Sequence, residues 1–459
     1  MTRAVHAPML PSTGVGASIK EAFQLSWPIT LSLLLHAGYR VNDQYWVQDL
    51  GPDAQAAMGL TSFLLILNFA FISLLSTGTL ARVAKLAGAG NWSTLRSTFS
   101  TSCYAAIAWF SMIAVAGWFT TPMLVQLSGG SGNPADLAES YLSTIYIVLP
   151  LIGFKPLVDS VFFGLGNTVV PMYLSVLSVA LNAILNPVMI YGWWGFPAMG
   201  IEGAAWSTGI SRAISAGLGI LVLQKWFGLA GSLRQSPAWK ELKKICRIGG
   251  PVAFSHAAYA LCFTMILKTS VAPLGATVQA GLAVGFNGIE SLSYCGMMGP
   301  AMASASLVGR RLGARDYLGA KRGAYACMGM SVGFALFTSS MFLIAGRVMS
   351  DFYTDDPAIL AQAVLYLHIV AFSQVITAAD STMQQIMAGA GRTLHMAILN
   401  MTGFVSRVPL AWWMSASLGM GAAGIWWALN IANYLKLGAI FMLFRRMHIF
   451  SPTAPTTDE

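Results

Sequence analysis

Runs of apolar residues long enough to cross a bilayer as helices recur from one end of this chain to the other and leave room for little else. A hydrocarbon core needs about 20 apolar residues per helical crossing, and about twelve such windows fit the sequence. They fall near 22–46, 57–81, 98–121, 138–163, 170–191 and 199–224 in the first half. The second half has them near 246–269, 278–305, 322–347, 358–387, 394–418 and 421–444. Only 9% of residues are charged, against about a quarter in soluble domains. The pattern predicts an all-α membrane protein with twelve transmembrane helices. A β-barrel is excluded, because the runs lack period-two alternation and are longer than the roughly ten residues of a barrel strand.

The basic residues predict the orientation. Arg82, Lys85 and Arg96 follow the second span, and Arg234, Lys240, Lys243, Lys244 and Arg247 lie between the sixth and seventh. Arg310, Arg311, Arg315, Lys321 and Arg322 follow the eighth, and Arg445 and Arg446 the twelfth. With twelve spans these fall on one side, which the positive-inside rule makes cytoplasmic, and both termini join them there. Asp49, Asp53, Asp136, Glu139, Asp351, Asp355 and Asp356 fall opposite, with Arg347 as an exception. Topology thus accounts for the net charge of +9, and no nucleic-acid partner is needed to explain it. The N-terminal stretch has no apolar core of the kind a cleaved leader carries. The five cysteines show no metal or CxxC spacing and read as free thiols.

The two halves are copies. "LGPDAQAAMGL" from Leu50 aligns with "LGATVQAGLAV" from Leu274. Pro28 and Pro251, "GAGN" at Gly88 and "GARD" at Gly313, and "GIEGAA" at Gly200 and "GAAGIW" at Gly421 follow in the same order and at nearly the same offset. A duplicated unit of six spans keeps the same orientation in both copies, so this is a parallel repeat about an axis along the membrane normal. The expected organisation is an N-lobe over 1–224, a cytoplasmic linker over 225–245 and a C-lobe over 246–459. Two pseudo-symmetric six-helix lobes would enclose a cleft suited to alternating access.

Charge inside a span costs about 2.5–3.5 kcal/mol on insertion scales, so each such residue needs a reason. The acids are Asp43, Asp159, Glu290 and Asp380, and the bases are Arg40, Lys155, Arg212, Lys268, Arg407 and Lys436. Asp43 shares a helical face with Tyr39 and Trp46 and has Arg40 three residues before it. Two readings are open: a structural pair with Arg40 or contact with interfacial water, or a buried carboxylate that exchanges a proton or a sodium ion. Asn182 and Asn186 share a face of the fifth span, and Pro187 frees the carbonyl of Ala183. They suit a small-cation site, or equally a plain helix contact. Lys155, four residues before Asp159, predicts a structural pair. Asp380 with Thr377 and Gln384 forms the most polar stripe of the second half and reads as lining the cleft, with Glu290 the other acid there. The histidines lack metal-ligand spacing. No P-loop, HExxH, GxSxG or glycine fingerprint is present, so the sequence reads as a transporter driven by an ion gradient and not as an enzyme.

The chain resembles the multidrug and toxin extrusion (MATE) family of secondary transporters, of the bacterial type. The likeness rests on "VNDQYWVQDLG", "GLGNTVVP" leading into "NAILNPVMIYG", "GIEGAAWST", "LVGRRLGA", "GAGRT" and "RVPL". It implies a V-shaped bundle of two lobes in the inner membrane that exports amphipathic, often cationic, organic compounds in exchange for H+ or Na+, with no further cofactor or metal. The coupling site it implies comprises Asp43, Asn182, Asn186 and Thr208. Some relatives have an acid where Asn186 stands. A second-lobe site would use Asp380, with Glu290 and His256 as the remaining candidates, and Tyr39, Trp46 and Gln384 would face the substrate. The partners implied are the organic substrate and the bilayer, and one chain suffices. The alternative within the same superfamily is a flippase for lipid-linked precursors, which the intramembrane bases favour.

Overall fold

The computed structural model describes residues 14–451 apart from 129 and 230. The expectations for the chain ends themselves, residues 1–13 and 452–459, lie outside the described residues. Everything regular among the described residues is helical. The first half contains α1 (Val15–Val47), α2 (Pro52–Gly88), α3 (Trp92–Leu127), α4 (Gly132–Leu165), α5 (Val169–Tyr191) and α6 (Ile201–Trp226). The second half contains α7 (239–274), α8 (276–313), α9 (Tyr317–Asp351), α10 (Pro357–Gly389), α11 (394–417) and α12 (Gly421–Arg446). Among the described residues, nine of these are long and apolar enough to cross a membrane by length and composition. The other three, α1, α8 and α11, are diluted by polar, glycine and proline residues, Asp43, Glu290 and Arg407 among them. The protein is a multi-pass, all-α membrane protein.

Corresponding joints in the two halves have the same backbone. Gly51, which opens α2, and Gly275, which opens α8, have φ/ψ of 100°/175° and 96°/171°. Only glycine adopts that region readily, which explains the repeated Leu-Gly. Asn91 caps α3 by accepting from the Thr94 amide at 3.1 Å. Asp316 caps α9 by accepting from the Gly319 amide at 2.8 Å. Burial works against ionisation of the Asp316 carboxyl, but hydrogen bonds from Arg311 and the Gly319 amide hold it below the usual carboxylate range.

The helices form two compact units, Leu31–Ala253 and, with residues up to Thr30, the part from Phe254 onward. In the first unit α4 is the central helix, packed on α2, α3 and α6. Its Tyr141, Leu142, Tyr146, Val148 and Leu149 form a core with Leu75 and Phe110. In the second unit α10 takes the same place, packing on α8, α9 and α12, with Tyr366 and Leu367 against Phe342 and Trp426.

The division falls inside α1 and α7, so the opening turns of each belong with the other half's second helix. In the first unit α7 crosses α2 closely: a Cβ on Gly249 would stand 1.7 Å from the Leu74 carbonyl oxygen. In the second unit α1 crosses α8 at Gly299, where a Cβ would stand 1.8 Å from Thr30 Oγ1. Each crossing is fastened by charge. Arg82 donates to Glu241 from Nε and Nη2, both at 3.0 Å, and the two side chains are 6% and 8% exposed. Arg311 donates to Glu21 at 2.5 Å and to Asp316 at 2.6 Å.

These arginines correct the sequence reading. Arg82, Arg310 and Arg311 are predicted there as loop residues, yet they lie within α2 and α8 and are buried in ion pairs. A second correction concerns regularity. Three spans of the second half widen into π-helix, at Leu267–Val271, Ala283–Glu290 and Trp413–Ser417, and Glu290 sits at the end of one of these wide turns.

Candidate functional site

A tight fold-back sets the first cluster. Gly192 and Gly200 have φ of 76° and 54°, and the amides of Met199 and Gly200 donate to the carbonyls of Met189 and Ile190 at 2.9 and 3.1 Å. The chain therefore returns along itself, and α6 runs antiparallel against α5. The facing stripes are polar: Ser175, Ser178, Asn182 and Asn186 on α5, and Ser207, Thr208, Ser211 and Ser215 on α6, all buried. Into this seam α1 directs Tyr39, Asn42, Asp43 and Trp46, which share one face by their spacing.

Asp43 lies at the centre and is 6% exposed. Its Oδ1 accepts from the side-chain amides of Asn186 at 2.8 Å and Asn182 at 3.3 Å. Its Oδ2 accepts from the Thr208 hydroxyl at 3.2 Å. The donors are themselves held. Asn182 also donates to Ser207 at 3.1 Å and to Thr208 at 3.2 Å, and its Oδ1 accepts from Asn42 at 2.8 Å. Ser207 donates to Asn186 Oδ1, and Trp46 Nε1 donates to Asn42 at 3.2 Å. Every direct partner of the carboxylate is neutral.

The pair with Arg40 offered by the sequence is therefore not formed. Arg40 is exposed and makes no ion pair with Asp43, and the carboxylate does not reach out to interfacial water. One turn earlier Tyr39, 2% exposed, shares its hydroxyl with Ser178 and, at 3.3 Å, with Ser211. Arg212 lies over the Tyr39 ring at 4.9 Å, and His36 stacks on it at 6.3 Å. Trp46 packs edge-on against Tyr191 at 6.1 Å and Trp193 at 5.9 Å. Nearby, Lys155 pairs with Asp159 at 2.5 Å, as their spacing predicts, and donates to Ser175 at 3.1 Å.

The second unit has two separate acid sites. Asp380 Oδ2 is paired with Lys436 at 2.6 Å and accepts from Gln384 at 2.9 Å, while Asn400 donates to Gln384 at 3.0 Å. Its Oδ1 is buried without a partner. Glu290 accepts from Gln374 at 2.9 Å and from the Tyr366 hydroxyl. The two acids share no hydrogen-bonding partner, and His256 is half-buried on α7. The cation facing Asp380 comes from α12, which spacing along one helix cannot reveal. Arg407 donates to Asn433, and both Arg407 and Lys436 stand over the Phe404 ring, at 5.0 and 5.1 Å.

Asn42, Ser207, Ser178 and Ser211 belong to the first network and are absent from the sequence reading. The usable signal was the α5 stripe continued backward from Asn182 to Ser178. Among the described residues, no three His, Cys, Asp or Glu side chains converge as a metal site would require.

Comparison with known proteins identifies the family. The MatE family model matches twice, over 28–188 and 251–413. The two matches begin at Pro28 and Pro251, the pair of prolines that the duplication aligns. The probable multidrug resistance protein NorM of Thermotoga maritima is 28% identical over 445 residues, covering 95% of this chain and 94% of that protein. The uncharacterized transporter YisQ of Bacillus subtilis is 25% identical over 88% of this chain and 89% of its own length. Among solved structures, an outward-facing multidrug resistance MATE family transporter of the MOP superfamily superposes with a TM-score of 0.89 at 20% identity, over 99% of this chain and 100% of that one. A MOP superfamily transporter from Pyrococcus furiosus gives 0.86 at 20% identity, over 97% and 98%. The chain belongs to the MatE family of secondary transporters.

Proposed function

We propose that this protein is an inner-membrane antiporter of twelve spans in two six-helix lobes, both termini cytoplasmic. It exports amphipathic, often cationic, organic compounds in exchange for H+ or Na+ by alternating access. The observation that carries the reading is Asp43, a buried carboxylate held by Asn182, Asn186 and Thr208 with no ion-pair partner. A buried anion whose direct partners are all neutral is poised to take up a cation, because desolvation opposes its charge and no lysine or arginine forms an ion pair with it. Neutralising Asp43 relaxes the grip of three donors from α5 and α6 on α1. Ion uptake is thereby coupled to helix packing, and substrate and ion oppose each other.

The orientation of the amides supports the proton first. A proton on Asp43 needs only a rotation of the Thr208 hydroxyl to become its acceptor. A sodium ion prefers oxygen ligands, so Asn182 and Asn186 would have to turn their oxygens inward and give up Asn42 and Ser207. Asp380 already has Lys436, which supports a structural role for it and leaves Glu290 as the other in-span acid of the second unit, with no ion pair among the described residues. A second reading, transport of an anionic lipid-linked compound, is favoured by the mid-span Arg212 and Arg407.

The test is efflux of a cationic fluorescent dye from proteoliposomes under an imposed proton gradient and, separately, a sodium gradient. Proton-driven efflux is expected. Efflux driven by sodium alone overturns the proton assignment, and no efflux under either gradient overturns the drug-export reading.

A further inference from the structure

Arg212 stands near the middle of α6 (Ile201–Trp226), and the coupling scheme above makes no use of it. Its guanidinium lies against the face of the Tyr39 ring, 4.9 Å away, and its charge also acts on Asp43 and Asp159. It forms no ion pair among the described residues. Its Nε is buried without a hydrogen-bond partner, while its terminal nitrogens, equally without one, keep accessible surface.

The duplication leaves this arginine without a charged counterpart. At the offset of 221 that aligns Gly200 with Gly421, Arg212 falls opposite Asn433 on α12, while Asp380 on α10 stands at the repeat position of Asp159 on α4. In the second unit the α12 cation pairs with the α10 acid, Lys436 with Asp380 at 2.6 Å. In the first unit Lys155, within α4 itself, has taken Asp159 at 2.5 Å. Arg212 is thus not needed to pair with Asp159. A guanidinium inside a span is costly to keep without a partner, and this one is oriented by stacking on a ring that Ser178 and Ser211 hold in place.

The geometry points to Arg212 as a substrate-binding residue that takes a carboxylate or similar acidic group of the transported compound. This inference rests on the transporter reading. Guanidinium recognises a planar carboxylate through two parallel hydrogen bonds, and the stacked Tyr39 ring gives an aromatic acid a surface beside its charge. Compounds bearing an acidic group together with an apolar or aromatic body are then preferred over their neutral-ester counterparts. The same nitrogens would also hold a lipid phosphate, and the two sources are separable by experiment.

The probes are a xanthylium dye with a free aryl carboxylate and its ethyl ester, which differ only in the acidic group. Their binding is measured by fluorescence polarisation to the full-length protein in phosphatidylcholine nanodiscs, and their transport in proteoliposomes. The native protein is expected to bind the acid about tenfold more tightly than the ester, the value of one charge-assisted pair. Arg212→Gln should bring the two affinities together while the ester's stays within about twofold. If the Gln variant does not fold, Arg212→Lys decides. Losing the forked donor should reduce the preference severalfold, and an unchanged preference overturns the assignment. Equal binding of acid and ester by the native protein also overturns it, as does a preference that survives in Arg212→Gln. If the preference disappears when phosphatidylglycerol replaces part of the phosphatidylcholine, the arginine is a lipid-phosphate contact and the substrate assignment falls. Gradient-driven export of both dyes without discrimination refutes this inference alone, whereas export of neither refutes the transporter reading beneath it.

Discussion

Replacing Glu241 by Ala removes the carboxylate that fastens the start of α7 to α2. Arg82 reaches it from Nε and Nη2 at 3.0 Å each, the Thr98 hydroxyl donates to it at 3.0 Å, and Lys244 approaches to 3.2 Å. Lys244 is 34% exposed at its side chain and adds little. The Arg82 guanidinium is nearly sealed from solvent, so the substitution leaves a buried charge without its bidentate anion, at about 3–5 kcal/mol. For a unit of this size that corresponds to a fall in melting temperature of roughly 6–20 °C. The reverse substitution, Arg82→Ala, leaves Glu241 with Thr98 and Lys244 and should cost less. Replacing both by apolar residues, Arg82→Met with Glu241→Leu, should recover most of the loss, because an apolar pair of similar volume needs no desolvation of charge. The assay is thermal unfolding in detergent followed by size-exclusion chromatography, with all three variants in parallel. A double variant as unstable as Glu241→Ala would refute the reasoning, as would a single-variant cost below about 1 kcal/mol, the value of an exposed pair.

In the second unit, Lys436→Met should destabilise by about 3–5 kcal/mol, and adding Asp380→Asn should return most of it. Thermal unfolding checks both, and a silent Lys436→Met would show the pair to be dispensable. At the α2–α7 crossing, Gly249→Val should abolish folded protein on size exclusion, since its Cβ meets the Leu74 carbonyl. Gly250→Ala beside it has open space and should be tolerated. In the connection between α8 and α9, Asp316→Ala removes a cap and costs about 1 kcal/mol. The folded-state carboxyl of Asp316 lies below its ordinary value, so its contribution is present above that value and is lost as pH falls through the lowered one. The difference between native and Asp316→Ala unfolding should shrink on acidification. A constant difference would contradict the ionic part of this assignment.

Much of the fold was legible because lipid allows few solutions to the backbone: apolar runs of fixed length must be helices, and the Leu-Gly and GAGN/GARD repeats marked equivalent joints. The residue types of the Asp43 cluster were legible too, since a carboxylate and two asparagines stood where apolar residues were expected. Their arrangement was not. Sequence spacing offered Arg40 as the partner of Asp43, whereas the α5–α6 fold-back brought three neutral donors from helices far along the chain. The same limit misread Arg82, Arg310 and Arg311, whose partners Glu241 and Glu21 lie on helices of the other repeat. The π-helical turns left no sign in the apolar pattern, because one extra residue per turn does not change hydropathy.

The most direct test of coupling through Asp43 is a comparison of native protein with Asp43→Asn in two proteoliposome assays: gradient-driven dye efflux, and dye exchange at equilibrium with no gradient. The amide of asparagine fits the Asn182, Asn186 and Thr208 pocket but takes up no proton. If Asp43 is the coupling carboxylate, the variant keeps dye exchange and loses gradient-driven efflux. Gradient-driven efflux at the native rate in Asp43→Asn would contradict that claim.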